Sequence, residues 1–210
     1  MKRYFIADLH FGHASITEYC TRPTFRKCDF GDDGDWKSPE VAAEAAKRMD
    51  NFLIKNCNGR VKTDDTVIHV GDFINSGLVK GVQGLRNKPN FYLDQLNGTW
   101  VLLTGNHDRN NHVKPVANFM VADIGPYKAF IAHYPIENEK IFNLELIRYV
   151  ISCTDFQITA HVHQAWKYKF YQHKHGNYLM YNVGVDVQRY LPIPDDKIIV
   201  DVSKIMKKVI

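Results

Sequence analysis

Five short apolar runs in this chain each stop at a cluster of aspartate, asparagine or histidine, and that recurrence limits the folds open to it. Residues 3–7 run into Asp8-Leu9-His10-Phe11-Gly12-His13, and residues 66–70 into Gly71-Asp72-Phe73. Residues 100–104 run into Gly105-Asn106-His107-Asp108, residues 127–132 into His133-Tyr134-Pro135, and residues 156–160 into His161-Val162-His163. Short apolar, β-branched runs bounded by turn formers read as buried strands. In open α/β sheets, ligands collect in the loops at the carboxyl ends of strands. Five strands that all end in polar clusters are therefore expected to deliver residues distant in sequence to one place.

The intervening segments carry helix and loop signals. Ser38-Pro39-Glu40 is a helix start, with Ser at the N-cap and Pro at the first helical position. Val41, Ala45, Met49, Phe52 and Leu53 then recur at helical spacing, which predicts a helix ending near residues 56–59. A second helix is predicted over 141–152. Residues 21–38, with Arg22-Pro23 and Gly31-Asp32-Asp33-Gly34-Asp35, read as a long loop, a feature more often functional than idle. After residue 165 the pattern alternates apolar and basic residues through 166–170. Residues 178–187 and 197–202 are predicted as further strands. No internal repeat or low-complexity segment interrupts the chain.

Composition excludes several classes. The 210 residues suffice for one domain over 1–210, and 45% hydrophobic with 24% charged residues is ordinary for a globular protein. A net charge of +4 permits a phosphate-bearing substrate without the dense basic stripe of a dedicated nucleic-acid binder. Cys20, Cys28, Cys57 and Cys153 form no Cys-x-x-Cys pair, which argues against a thiolate zinc site. The first residues lack a secretory leader's apolar stretch and cleavage region, and no run approaches the ~20 apolar residues of a membrane span. Reduced thiols in a cytoplasmic protein are the simpler expectation.

The clusters have the chemistry of a metal centre. In an extended chain residues i and i+2 point the same way, so Asp8 with His10, and His161 with His163, are each expected to reach one ion or two adjacent ions. Carboxylate, imidazole and amide oxygen together suit Mn, Fe, Zn, Co or Ni better than Ca or Mg. Asp8, His10, Asp72, Asn106, His133, His161 and His163 make seven candidate ligands. Seven exceed what one four-coordinate zinc with an open position takes. They suit two ions if one carboxylate bridges, and two ions roughly 3.5–4 Å apart lower the pKa of a water between them to give hydroxide for phosphoryl hydrolysis.

The ordered set Asp8-x-His10, Gly71-Asp72, Gly105-Asn106-His107-Asp108, His133 and His161-x-His163 resembles the calcineurin-like metallophosphoesterase superfamily. Asp-Leu-His-Phe-Gly-His and His-Tyr-Pro look closest to its small bacterial and phage phosphoesterases. The resemblance implies an α/β (α+β) fold, a four-layer αββα sandwich of two mixed sheets flanked by helices. It implies that Asp8, His10, Asp72 and His163 hold one divalent ion and Asp72, Asn106, His133 and His161 a second, with Asp72 as bridge. Mn²⁺ is the first candidate, with Fe, Zn, Ni or Co as others. His107 would lie over the scissile phosphate and assist the leaving oxygen, and Asp108 would orient the His107 imidazole. Where the family often has Gly-His-x-His, this chain has Ala160-His161-Val162-His163.

Other residues carry two readings. His13 either reaches the substrate or packs locally, and Arg22 either binds phosphate or shapes its loop. Asn75 is a second candidate for supporting the site. His69, inside a strand, reads as a core residue, and His112, His173 and His175 as ordinary ones. The aromatic and basic stretch 166–175 reads first as a hairpin with one wet face and second as a base-stacking surface. Together these features predict hydrolysis of phosphate mono- or diesters by a metal-activated hydroxide. The expected substrate is a nucleotide, a cyclic nucleotide or a nucleic-acid end, and oligomeric state is open. The alternatives are an inactive metal-binding scaffold of the same fold and a phosphoprotein phosphatase. An aspartyl-phosphate transferase would want a second carboxylate where His10 stands.

Overall fold

The computed structural model describes residues 1–75, 88–173 and 176–208. In chain order its elements are β1 (Arg3–Ile6), α1 (Ile16–Tyr19), α2 (Pro39–Asn58), β2 (Thr66–His69), α3 (Pro89–Leu93), β3 (Thr99–Leu102) and β4 (Phe119–Ile124). Then follow β5 (Tyr127–Ala132), α4 (Leu144–Cys153), β6 (Phe156–Thr159), β7 (Tyr168–His173), β8 (Gly176–Asn182), β9 (Ile193–Pro194) and α5 (Asp195–Met206). Two mixed sheets result. The first has order β3-β2-β1-β9, with β9 antiparallel to the otherwise parallel set. The second has order β4-β5-β6-β8-β7, with β5, β6 and β8 parallel and the outer strands antiparallel to their neighbours.

The strands are apolar on both faces because both faces are covered. Tyr4, Ile6 and Val67 pack outward against Met49 and Leu53 of α2 and Tyr92 of α3. Phe5, Ala7 and Ile68 point the other way and meet Ile131, Ile158 and Tyr181 of the second sheet. The outer face of that sheet offers Phe130, Tyr178 and Met180 to Ile147 and Val150 of α4. Strand periodicity of two thus assigns each residue to one of two cores, and the layers stack helix, sheet, sheet, helix.

Local chemistry sets the helix ends. The Ser38 hydroxyl accepts the Val41 amide at 3.3 Å and Pro39 occupies the first turn, a cap that contributes about 1 kcal/mol. The Asn143 side chain accepts from the Leu146 amide at 2.8 Å, so α4 starts at Leu144, three residues later than the apolar pattern predicts.

Three expectations need correction. Residues 197–202 are helical: Ile198 and Val202, one turn apart, are buried between the sheets, and Asp201 accepts the Tyr181 hydroxyl at 2.7 Å. Packing at spacing four overrides the β-branched look of that run. The strand predicted over 178–187 stops at Asn182, and the chain then turns through Val185–Val187. Sequence reading also passed over β4, an edge strand joined to β5 through Gly125-Pro126. The hairpin expected for 166–175 forms as β7 and β8, with residues 174–175 outside the described set.

Parallel strands place their carboxyl ends together. β1, β2 and β3 end at one rim of the first sheet and β5, β6 and β8 at one rim of the second. The two rims are tied by a parallel bridge between Ala7 and Gly184 and by the His133 Nδ1–Val70 carbonyl contact at 2.9 Å.

Candidate metal centre

The loops beyond the strands continue to pair after the strands end. The Asp8 amide donates to the Gly71 carbonyl at 3.1 Å, His10 to Asp72 at 3.0 Å and Phe11 to Phe73 at 3.1 Å. The backbone there is not extended, as the i, i+2 argument supposed. Asp8, His10, Asp72, His161 and His163 all have positive φ, between 46° and 71°. Left-handed turns, not strand alternation, aim these side chains, with Asp8 and His10 in one group of ligand atoms and His161 and His163 divided between two. An L-residue in that region costs about 1–2 kcal/mol, and such strain concentrates where side chains must be aimed. Close packing enforces the arrangement: a Cβ on Gly105 would stand 2.2 Å from both the amide nitrogen and Oδ1 of Asp72.

The seven proposed ligands converge. Asp8, His10 and His163 offer ligand atoms within 4.8 Å of one another, and so do Asp72, His133 and His161. Asp72 stands between the groups. Its Oδ1 accepts the His107 amide at 2.9 Å, while Oδ2 lies 3.5 Å from His10 Nε2 and 3.3 Å from His133 Nε2. Asn106 Oδ1 is 3.1 Å from the same His133 nitrogen.

The donor set fits cations. His10 is 1% exposed, and neither ring nitrogen has a hydrogen-bond partner. Burial drives its pKa well below the usual imidazole range, which leaves a neutral ring with one unused lone pair and Nε2 3.5 Å from Asp72 Oδ2. The His133 Nδ1–H is used by the Val70 carbonyl, so Nε2 turns a lone pair toward two oxygens, Asp72 Oδ2 and Asn106 Oδ1. Without a cation that nitrogen must take a proton. Accordingly, burial lowers the His133 pKa, but the hydrogen bond and charge of Asp72, with Asp8, outweigh it and raise the value. Burial, helped by the charges of Asp72 and Asp186 and opposed by His133 and His163, lifts Asp8 to about 6. A positive ion among these groups relieves each of these costs.

Several supporting residues differ from expectation. Asp108 is fully buried and does not orient the His107 ring. Its carboxylate accepts the amides of Gly105 at 2.8 Å, Phe73 at 2.9 Å and Asp72 at 3.0 Å, and so clamps the Asp72 loop to the Asn106 loop. Arg22 is 2% exposed and is not placed to bind substrate. Its guanidinium forms a bidentate pair with Asp186 at 2.9 and 3.1 Å and donates to the carbonyls of Leu9 and Asp8.

Asp186 escaped the sequence reading. Its Oδ2 lies 2.8 Å from His163 Nδ1, which fixes that ring and turns Nε2 toward Asp8 and His10. Burial lowers the His163 pKa, but Asp186 and Cys20 together raise it to about 10. The predicted strand over 178–187 hid it: the strand ends at Asn182, and the turn beyond it packs so closely that a Cβ on Gly184 would strike Asp8 Oδ2 at 2.5 Å. Cys20 also stands beside His163 and Asp186, where no cysteine was expected. Asp50, on α2, accepts the Gly12 amide at 3.0 Å and the Tyr92 hydroxyl at 2.9 Å, and so braces the turn behind His10.

His107 sits at the open side. Its side chain is 40% exposed, its ring centroid is 5.1 Å from that of His10, and Nε2 is 4.0 Å from Asp72 Oδ2. His13 reaches the same mouth, with its ring 5.6 Å from His10 and Nδ1 3.2 Å from Asn75 Nδ2. Burial and the neighbouring imidazoles lower its pKa to about 4. His69 is fully buried and edge-on to Phe73 at 5.1 Å; among the described residues neither ring nitrogen has a hydrogen-bond partner, and it joins none of the groups of ligand atoms. His112 is exposed.

Comparison with known proteins gives the family and the fold. A sequence model described as calcineurin-like phosphoesterase matches residues 1–207. The uncharacterized protein MJ1445 of Methanocaldococcus jannaschii is 28% identical over 205 residues, 97% of this chain and 92% of that protein. Among solved structures, the protein of unknown function AQ665 from Aquifex aeolicus superposes with a TM-score of 0.57 at 21% identity, covering 94% of this chain and 97% of that one. Yfce, a phosphoesterase from E. coli, is more distant, with a TM-score of 0.39 at 16% identity over 87% of this chain and 78% of that one.

Proposed function

The chain belongs to the calcineurin-like phosphoesterase family, and from that premise we propose that it hydrolyses phosphate mono- or diesters at a centre of two divalent ions. The observation that carries the reading is Asp72 Oδ2, a single oxygen facing His10 on one side and His133 on the other. In this proposal Asp8, His10, Asp72 and His163 hold one ion and Asp72, Asn106, His133 and His161 the other. Mn²⁺ is the first candidate by donor type, and Fe, Zn, Ni and Co also suit the set. Such a pair of ions supplies Lewis-acid charge to phosphate oxygens and lowers the pKa of a bound water toward neutrality.

The chain's own groups do the rest. His107 is the part-exposed imidazole beside Asp72 and is assigned to the leaving oxygen, to which its ring delivers a proton. Asp108 keeps the loops of Asp72 and His107 at fixed separation. The substrates that suit so compact a chain are a nucleotide, a cyclic nucleotide or a nucleic-acid end. Among the described residues no helix is long and apolar enough to cross a membrane, and all four cysteines are free, which favours a reducing, cytoplasmic setting for this proposal.

A chelator should abolish hydrolysis of a chromogenic phosphodiester, and Mn²⁺ should restore it. His107→Ala should lower kcat by roughly 10²–10⁴-fold while bound metal stays constant. The rival reading, a metal-loaded scaffold without turnover, predicts no metal-dependent hydrolysis of any ester and no loss in that variant.

A further inference from the structure

A cleft of about 460 Å³ opens directly off the second half of the metal centre, and Gly105, Asn106 and His133 line both. Its far walls come from elements with no part in the phosphoesterase reading: the turn after Asp108, the start of β4, and the segment entering α4. The floor is apolar, formed by Phe142, which is 6% exposed, and by Leu146. Two aromatic rings stand at its sides. Phe119 is 43% exposed although it is a large hydrophobe, and it leans on Phe130 with centroids 5.4 Å apart. Tyr134 is half-buried and lies 4.6 Å from the His161 ring, at the boundary between cleft and centre.

Polar groups are few and placed at the rim. Arg109 is exposed and lines the cleft, and among the described residues no carboxylate pairs with it. Asn118, also exposed, presents an amide with both a donor and an acceptor. The volume falls within the range of small-molecule sites, which combine apolar walls with a few fixed polar groups. Aromatic faces with a guanidinium stack heterocyclic bases, and an amide reads a base edge bidentately.

Resting on the phosphoesterase reading above, we propose that this cleft takes the nucleoside part of a nucleotide whose phosphate lies at Asp72. Phe119 and Tyr134 flank the base over the Phe142–Leu146 floor, Asn118 meets its edge, and Arg109 supplies charge for a further anionic group. The cleft is lined by Asn106 and His133 but not by Asp8, His10 or His163, so the residues of its far walls set specificity away from the first half of the centre. A phosphopeptide, which would have little use for two aromatic walls around a dry floor, is disfavoured.

The test uses the full chain loaded with Mn²⁺ and two probes, adenosine 5′-monophosphate and glycerol phosphate, with the variants Phe119→Ala and Leu146→Trp, the second filling the cleft from α4. Both variants should raise KM for the nucleotide tenfold or more and leave kcat/KM for glycerol phosphate within twofold. Binding of adenosine 5′-monophosphate to metal-free protein, followed by NMR shifts at Asn118, Phe119 and Leu146, should be lost in Leu146→Trp. The proposal is overturned if glycerol phosphate and nucleotide respond alike, if no shift occurs at these residues, or if a phosphoserine peptide outcompetes the nucleotide in a Phe119-dependent way. If no ester is hydrolysed with any metal while nucleotide shifts the cleft residues, the phosphoesterase reading fails and the cleft assignment stands. Hydrolysis that ignores both variants has the opposite meaning.

Discussion

The two halves of the candidate centre are built differently. The half made by Asp8, His10 and His163 is packed from behind by charged groups: Asp186 on His163, Arg22 on Asp186 and on the Asp8 carbonyl, and Asp50 on the turn after His10. The half made by Asn106, His133 and His161 has a backbone carbonyl behind His133 and the Tyr134 ring beside His161, and its charged support, Asp108, holds the Asn106 loop through the Gly105 amide and touches no proposed ligand side chain of this half. Asp8 and His10 are buried, whereas Asn106 is exposed and opens onto the cleft. On the two-ion proposal, the contrast makes one half the fixed one and the other the half that opens toward the cleft. Rigid support raises ligand basicity and lowers the entropy lost on binding, so the first half should bind metal more tightly.

Asp72 belongs to both halves, so its removal should produce the largest effect and erase the contrast. Asp72→Asn keeps the side-chain shape but loses the charge that His10 and His133 face. Activity should fall by roughly 10³-fold, the scale of losing a dominant electrostatic group in a buried site. Bound metal, measured by plasma emission on dialysed protein, should drop at both positions. Retention of one tightly held ion would mean that Asp72 serves a single half and that the bridging assignment is wrong.

Asp186→Asn addresses the first half alone. It removes the carboxylate behind His163 while leaving every proposed ligand in place. Metal affinity should weaken about 10–100-fold for the tighter of two ions in a calorimetric titration, with the weaker phase unchanged. Stability should also fall, by about 3 kcal/mol, because Arg22 is left buried without its carboxylate. A parallel drop in both affinities would show that the halves are one mechanical unit. A loss of stability with both affinities intact would reduce Asp186 to a structural partner of Arg22.

The same contrast explains what the sequence made legible. The proposed ligands were legible because they sit at strand ends in unusual residue types: Asp8, His10, Asp72, Asn106, His133, His161 and His163 were all readable from pattern and lie close together. Layer order was readable too, since strands covered on both faces must be apolar throughout. The supporting groups were obscure because their partners are set by tertiary folding. Arg22 and Asp186 are 164 residues apart, and nothing local marks either as half of a buried pair. Asp108 looked like the partner of His107 because it is adjacent in sequence, yet three backbone amides claim its oxygens. Extended geometry was a wrong assumption for Asp8 and His10 because both lie in left-handed turns, in loops that pair with the Asp72 loop beyond the strand ends. The failure at α5 has the same root: tertiary burial of Ile198 and Val202, not local propensity, decided that segment.

The smallest effect on activity, and the finest test of the contrast, is expected from Asp50→Asn. Asp50 touches no proposed ligand and braces only the turn behind His10, through the Gly12 amide. Burial raises its pKa to about 7, against hydrogen bonds from Gly12 and Tyr92 that favour the carboxylate. An unfolded Asp titrates near 3.9, so the folded state holds this proton more tightly. Its contribution to stability is therefore complete below about pH 4 and is lost as pH rises through about 7. Asn carries no such proton. The variant should lose less Tm than the parent between pH 5 and pH 8, by a few degrees on the scale of ~1–2 kcal/mol for a domain of this size. Activity at pH 8 should stay within about threefold, and metal bound by the second half should not change, since its supports lie on other loops. An unaltered Tm profile would mean that Asp50 is ionised throughout, with Gly12 and Tyr92 sufficient to hold a buried charge. The brace behind His10 would then be electrostatic like that behind His163, and the first half would rest on two carboxylates of one kind, Asp50 and Asp186.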